Sequence, residues 1–294
     1  MKINKVVLRR MHLDFKKPFR TSFGLIQKDF SIIELYDEEG NVGRGACSAF
    51  LRPWYNEETT IGALYVIQNY LIPALFDMGD ISTPEHFFDE TAWIRRNRMA
   101  RAAVDCALWE LYSKELGVPE YKALGGVKNE IEAGVSLGIE ETPDKLLHTI
   151  EEYMKQGYRR IKCKIKPGHD INYLSAVRRE FGDIMLMADA NSAYTLDDIN
   201  LFREMDDLNL LMIEQPLESD DIVDHRHLQE VIKTPICLDE SIISLDDARR
   251  AIELGSCKII NIKVARVGGL TEARRIQKYA GEHGVYCWCG GMVD

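Results

Sequence analysis

The sequence has 294 residues, 46% of them hydrophobic, and a net charge of −10. That length holds a small domain beside a barrel-sized one with ample core, and the acidic balance, without a basic stripe interleaved with aromatics, excludes nucleic acid as a partner. No apolar run nears the roughly 18–20 residues of a bilayer span, and the start lacks the apolar segment of a signal peptide, so a cytoplasmic location without a membrane partner is expected.

In chain order, residues 2–15 and 30–37 read as β-strands, followed by the turn 38–41 and a third short strand over 42–48, an antiparallel meander. Residues 59–76 and 98–116 then carry apolar side chains at helical i, i+3 and i+4 spacing, and Gly117 followed by Pro119 stops the second helix. Residues 1–129 are therefore an α+β domain. From Glu130 the strand candidates are EIEAGVSLGI, YRRIKCKI, DIMLMADA, LLMIEQP, PICLDES, CKIINIK and VYCWCGG, with a helical segment between successive strands. Thr142 before Pro143, Thr195 with Asp198, and Ser244 with Asp247 are helix N-cap arrangements. Strands rich in Ile, Leu, Met and Cys suit a parallel sheet covered by helices, which right-handed crossovers curl into a barrel. The expectation for 130–294 is an α/β fold, a TIM-like (β/α)7β barrel, C-terminally truncated, with strand eight absent from this chain and open edges at strands one and seven.

Cys47, Cys106, Cys163, Cys237, Cys257, Cys287 and Cys289 form no CxxC pair and several alternate with apolar residues. Buried reduced thiols are expected.

Lys164, Asp189, Glu214, Asp239 and Lys263 recur at intervals of about 25 positions, each near the end of an apolar run, which is the length of one βα unit. In a barrel such residues converge at the C-terminal ends of the strands. Each acid alone could simply cap the following helix. Three at equal spacing instead suit a hard divalent cation, Mg²⁺ with Mn²⁺ as an alternative. Period-two alternation places Lys162, Lys164 and Lys166 on one face. A cation and the like charge of Lys162 should lower the pKa of Lys164 from about 10.4, making it a usable base, with Lys263 facing it across the mouth.

The segments RIKCKIKPG, MADANSAYTL, IEQPL, TPICLDESI, NIKVARVGG and WCGGM resemble the enolase superfamily, in the muconate-lactonizing subgroup. Within it the chain is most similar to the o-succinylbenzoate synthase and N-acylamino acid racemase family. The resemblance implies Mg²⁺ on Asp189, Glu214 and Asp239, an acid/base pair of Lys164 and Lys263, and Lys162 tuning Lys164. It makes the first domain a capping domain, with loops 19–24 and 51–55 closing over a small-molecule carboxylate, and it implies a homo-oligomer. Phe23, Ser136, Gly290, Gly291 and Met292 would line the pocket. The implied chemistry is removal of a proton α to a carboxylate through an enediolate, followed by dehydration in a synthase or reprotonation in a racemase. Val264 and Ala265 stand where the family has Pro and a small residue, and Asp294 where it has Glu. Dipeptide epimerase, a catalytically silent truncated fragment, and a Schiff-base aldolase using Lys164 are the alternatives.

Overall fold

The structure, a computed structural model, describes residues 1–13, 20–21, 24–25 and 28–292. Phe23 and Asp294, singled out above, lie outside the described residues. Strands β1 (Ile3–Leu13), β4 (Lys28–Asp37) and β5 (Val42–Cys47) form an antiparallel sheet in the order β1-β4-β5, and the short β2 (Arg20–Thr21) and β3 (Gly24–Leu25) pair with each other. Five helices follow: α1 (Thr60–Val66), α2 (Ile72–Met78), α3 (Pro84–Glu90), α4 (Arg98–Glu115) and α5 (Glu120–Ala123). The meander and both predicted long helices are present, whereas α3 and α5 are too short to have declared a period.

A π-helical turn, Ile67–Leu71, joins α1 and α2 into one run, Thr60–Met78. An 18-residue window of this 19-residue run has a mean hydropathy of 1.2. By length and composition it could span a bilayer, which corrects the expectation that no run comes near that length. The period that hid it in the sequence is amphipathic: Ile67, Leu71 and Leu75 enter the core of this domain, while Ile61, Tyr65, Tyr70 and Phe76 are exposed.

Helix α4 lies directly on β5, and the sequence permits this because alternate positions of that strand are glycine. A Cβ at Gly43 or Gly45 would collide with the backbone carbonyls of Ala107 and Ala103. The N-cap residue of α4, Asn97, makes no side-chain cap. The carboxylate of Glu58 takes that role, accepting from the backbone amides of Met99 at 2.8 Å and Ala100 at 3.1 Å, groups that no helix can satisfy internally. Glu58→Ala is expected to cost about 1–2 kcal/mol of stability, read as a shift in the urea midpoint; an unmoved midpoint refutes this capping role.

The second sheet contains β6 (Gly134–Leu137), β7 (Arg160–Lys164), β8 (Met185–Asp189), β9 (Ile213–Glu214), β10 (Ile236–Leu238), β11 (Ile259–Ile262) and β12 (Tyr286–Cys289). They are parallel, stand in sequence order and curl into a half-barrel with β6 and β12 at its edges. Crossovers run through α6 (Pro143–Lys155), α7 (Ile171–Phe181), α8 (Ile199–Met205), α9 (Val223–Val231), α10 (Leu245–Leu254), α11 (Val264–Val267) and α12 (Leu270–Glu282). Thr142, Thr195 and Ser244 cap their helices as predicted, Thr195 in a capping box with Asp198.

Between the sheet and these helices Ile161, Leu186, Ile213, Ile236 and Ile260 pack as one core, while Met187, Met212 and Cys237 pack on the inner face. All seven cysteines are free, but Cys106 and Cys287 are only half-buried and Cys289 is exposed. The last two sit on β12, an edge strand with one neighbour, so alternation there does not translate into burial.

Candidate active site

Side chains alternate across a strand, so register decides which of them meet. Lys164 is paired with Asp189, Asp189 with Glu214, and Glu214 with Cys237. Asp239 follows Cys237 by two positions, which the register sets level with Asn261 on the next strand, and Lys263 stands just past that strand's end. Lys162, Lys164, Asp189, Glu214, Asp239 and Lys263 are thereby delivered to one end of the half-barrel.

The charges interlock. Lys162 Nζ lies 2.9 and 3.0 Å from the two carboxylate oxygens of Glu214 and 3.0 Å from Asp189 Oδ2. Lys164 Nζ lies 3.0 Å from the same Asp189 oxygen and donates to Asn191. Lys263 Nζ stands 2.7 Å from Asp239 Oδ2, and Arg266 pairs with Asp239 Oδ1. Glu214 and Asp239 are fully buried and Asp189 is nearly so.

Burial works to lower the pKa of Lys162, but the carboxylates of Asp189 and Glu214 outweigh it and the group is held above its usual range. Lys263 is likewise raised: burial opposes its charge, and Tyr55, Glu240, Glu214 and Asp189 favour it. For Asp189 burial raises the pKa, yet Lys162, Lys164 and Lys263 together hold it well below the normal carboxylate range. Lys162 is thus a charge already neutralised by two acids rather than the bare like-charged neighbour of Lys164 that the motif suggests. Lys166, predicted on the same face, falls beyond the end of β7 in a bridge to His169.

A cavity of about 320 Å³ opens above these groups. Lys162, Lys164, Asp189 and Lys263 line its floor, and Ser136, Gly290, Gly291 and Met292 line its wall, as expected for the pocket. Phe50, Trp54 and Tyr55 of the first domain cover it, with the Lys263 ammonium 5.2 Å from the Tyr55 ring centre. Glu214 and Asp239 lie beneath the lining. Met292 is 5% exposed and packs into the core of the first domain, so it also ties the two cores together.

Several groups of the site escaped the sequence reading. Asn191 and Glu240 also line the cavity, joined by a 3.2 Å hydrogen bond. Asn261 donates to Glu214 Oε1 at 2.9 Å. Arg266, 2% exposed, donates to the carbonyls of Ile242 and Asn261. Their signals were present: Asn191 follows Asp189 by two, Glu240 adjoins Asp239, and Asn261 precedes Lys263 by two on the same strand face.

Among the described residues no three His, Cys, Asp or Glu side chains stand in metal-holding geometry. The donor set nevertheless fits a hard divalent cation: three buried carboxylates at the ends of neighbouring strands offer only oxygen. Neither oxygen of Asp239 accepts a well-formed hydrogen bond, and Glu240 Oε2, buried beside it, has none either.

A half-barrel with acids and lysines at its C-terminal rim, covered by an antiparallel α+β domain, defines a class, and the chain belongs to the enolase superfamily. Residues 3–125 match the mandelate racemase / muconate lactonizing enzyme N-terminal domain, and residues 145–294 match the enolase C-terminal domain-like family. The chain is 53% identical to an o-succinylbenzoate synthase from Geobacillus kaustophilus, over 99% of this chain and 78% of that protein. It is 42% identical to an N-succinylamino acid racemase from Thermus thermophilus, over 100% of this chain and 79% of that one. Among solved structures, an enolase superfamily member from Listeria innocua superposes with a TM-score of 0.96 at 43% identity, covering 100% of this chain and 79% of the other. A dipeptide epimerase from Enterococcus faecalis, complexed with Mg and the dipeptide L-Leu-L-Tyr, matches at TM-score 0.88 and 28% identity, over 99% and 82% of the two chains.

Proposed function

We propose that this protein removes the proton α to the carboxylate of a small substrate, as an o-succinylbenzoate synthase that also racemises N-acylamino acids. The observation that carries this reading is the placement of Lys164 and Lys263 on one cavity floor with Asp189 between them. A base on each side of a bound carbon is what two-sided proton transfer needs. Relatives of both names at 53% and 42% identity support the choice of substrates.

In this reading Asp189, Glu214 and Asp239 hold Mg²⁺, which supplies positive charge where a second negative charge develops on the substrate carboxylate. Lys164 removes the α-proton. When Lys164 is the base, Lys263, whose pKa is raised, is the ammonium facing the enediolate, and the two exchange roles for the opposite enantiomer. In the synthase reaction the β-hydroxyl departs as water, and the ammonium formed at Lys164 is a source for the proton it needs. In racemisation Lys263 gives its proton to the opposite face of the carbon. Trp54 and Tyr55 exclude water from above. Dipeptide epimerase is the second reading, favoured by the Mg-bound structural relative but at the lower identity of 28%.

The protein is read as cytoplasmic, and a homo-oligomer accounts for the exposed Ile61, Tyr65, Tyr70 and Trp93 of the first domain. The function is tested by adding Mg²⁺ and, separately, the cyclic β-hydroxy acid precursor of o-succinylbenzoate and each enantiomer of N-succinylphenylalanine in D₂O. Aromatic product from the first and loss of the α-proton signal from the second are expected; neither appearing defeats the proposal.

A further inference from the structure

The N-cap residue of helix α12 is Gly269, which has no side chain to cap it. The cap comes from the other domain. Asp105 of α4, 2% exposed, accepts from the Thr271 amide at 2.9 Å and from the Thr271 hydroxyl at 2.6 Å. The same hydroxyl accepts from the indole N–H of Trp109 at 2.9 Å. Gly269 has φ +126, and a Cβ there would run into the Asp105 carboxylate. The neighbouring ion pairs of Arg274 with Glu85 and Arg275 with Asp89 are exposed and contribute little, so the buried carboxylate is the fixed point of this contact. Its burial is costly, since it pushes the carboxyl up to about 7 against the donors that lower it.

Between this contact and the site lies a short, hydrogen-bonded stretch of chain. Lys263 caps α11, its carbonyl accepting from Val267, and Gly269 donates to the Val264 carbonyl. Val267 is fully buried, and Ala265 packs on the core of the first domain. The stretch therefore has little freedom of its own, and the place where it is pinned decides where the Lys263 backbone sits. The N-terminus of α4 is pinned by Glu58, three residues past Tyr55. One helix thus sets both the aromatic cover over the cavity and the chain segment that carries Lys263.

We propose that Asp105, through Thr271, is a positioning residue for Lys263, registering its ammonium against the substrate carbon from the neighbouring domain. The inference rests on the proposed function, in which Lys263 serves one face of that carbon and Lys164 the other. It follows that loosening this contact harms one proton transfer and spares the other, since Lys164 sits on β7, away from α4.

The test follows α-proton exchange of N-succinyl-D- and N-succinyl-L-phenylalanine in D₂O with saturating Mg²⁺, in wild type, Lys263→Ala, Asp105→Asn, Thr271→Val and Thr271→Ser. Lys263→Ala identifies the enantiomer that depends on Lys263. Asp105→Asn and Thr271→Val are expected to slow that enantiomer by about 10- to 100-fold, the scale of a small misplacement, with less than about a two-fold change in the other, and Thr271→Ser is expected to restore the wild-type ratio. A proportional loss for both enantiomers, or no loss, overturns the proposal. Thermal melts accompany each variant, and failure of both Asp105→Asn and Thr271→Val to fold also overturns it, since the contact would then serve stability alone. Wild-type protein that exchanges neither enantiomer instead defeats the racemisation on which the inference rests.

Discussion

Lys164→Ala is expected to slow α-proton exchange for one enantiomer of an N-succinylamino acid by about 10²–10⁴-fold, the contribution of a positioned general base, with the other enantiomer much less affected. The asymmetry follows from the floor of the cavity. Lys164 ends β7 and Lys263 follows β11, on opposite sides of Asp189 and Glu214. The fold should tolerate the change, because Asp189 loses one donor but keeps Lys162 at 3.0 Å, and the only other group that loses a donor is the Asn191 amide oxygen. The measurement is the disappearance of the α-proton signal in D₂O beside a thermal melt. Equal slowing of both enantiomers in a folded protein would remove Lys164 from the role of base.

Much of this arrangement was legible in the sequence because two periods coincide. Alternation within each strand selects the face, and the repeat of about 25 positions selects the strand end. Lys164, Asp189, Glu214, Asp239 and Lys263 satisfy both, and all of them reach one rim. What stayed hidden depends on contacts between residues far apart in the chain. Asp105 reads as one polar residue in an apolar helix until Thr271, on another domain, is placed against it. Arg266 reads as a solvated charge until the carbonyls of Ile242 and Asn261 close around it. The partners of Lys162 were hidden for a different reason. The motif gives the spacing of two lysines on one strand, whereas the neutralising acids arrive from β8 and β9, so the sign of the local field could not be read from β7 alone.

Lys162→Met is expected to lower stability by about 3–5 kcal/mol in the presence of EDTA, the usual cost of leaving buried charge without its partner. Lys162 is 7% exposed and Glu214 not at all. The variant leaves Glu214 with the Asn261 amide as its remaining donor, and Asp189 with Lys164 and the Asn191 backbone amide. Methionine keeps most of the volume of the lysine stem, so the loss reports charge more than packing. A divalent cation on the same acids replaces the missing charge. Mg²⁺ at about a hundred times its dissociation constant adds about 2.7 kcal/mol to any folded state that binds it. At one Mg²⁺ concentration common to both proteins, the increment of the variant should exceed that of wild type, because in wild type the cation must compete with the Lys162 ammonium for Glu214 and Asp189. Urea unfolding of both proteins in EDTA and in Mg²⁺ gives the four free energies needed. Equal stability in EDTA would show that Lys162 does not hold these acids, and an equal Mg²⁺ increment would show that the cation and the lysine do not share them.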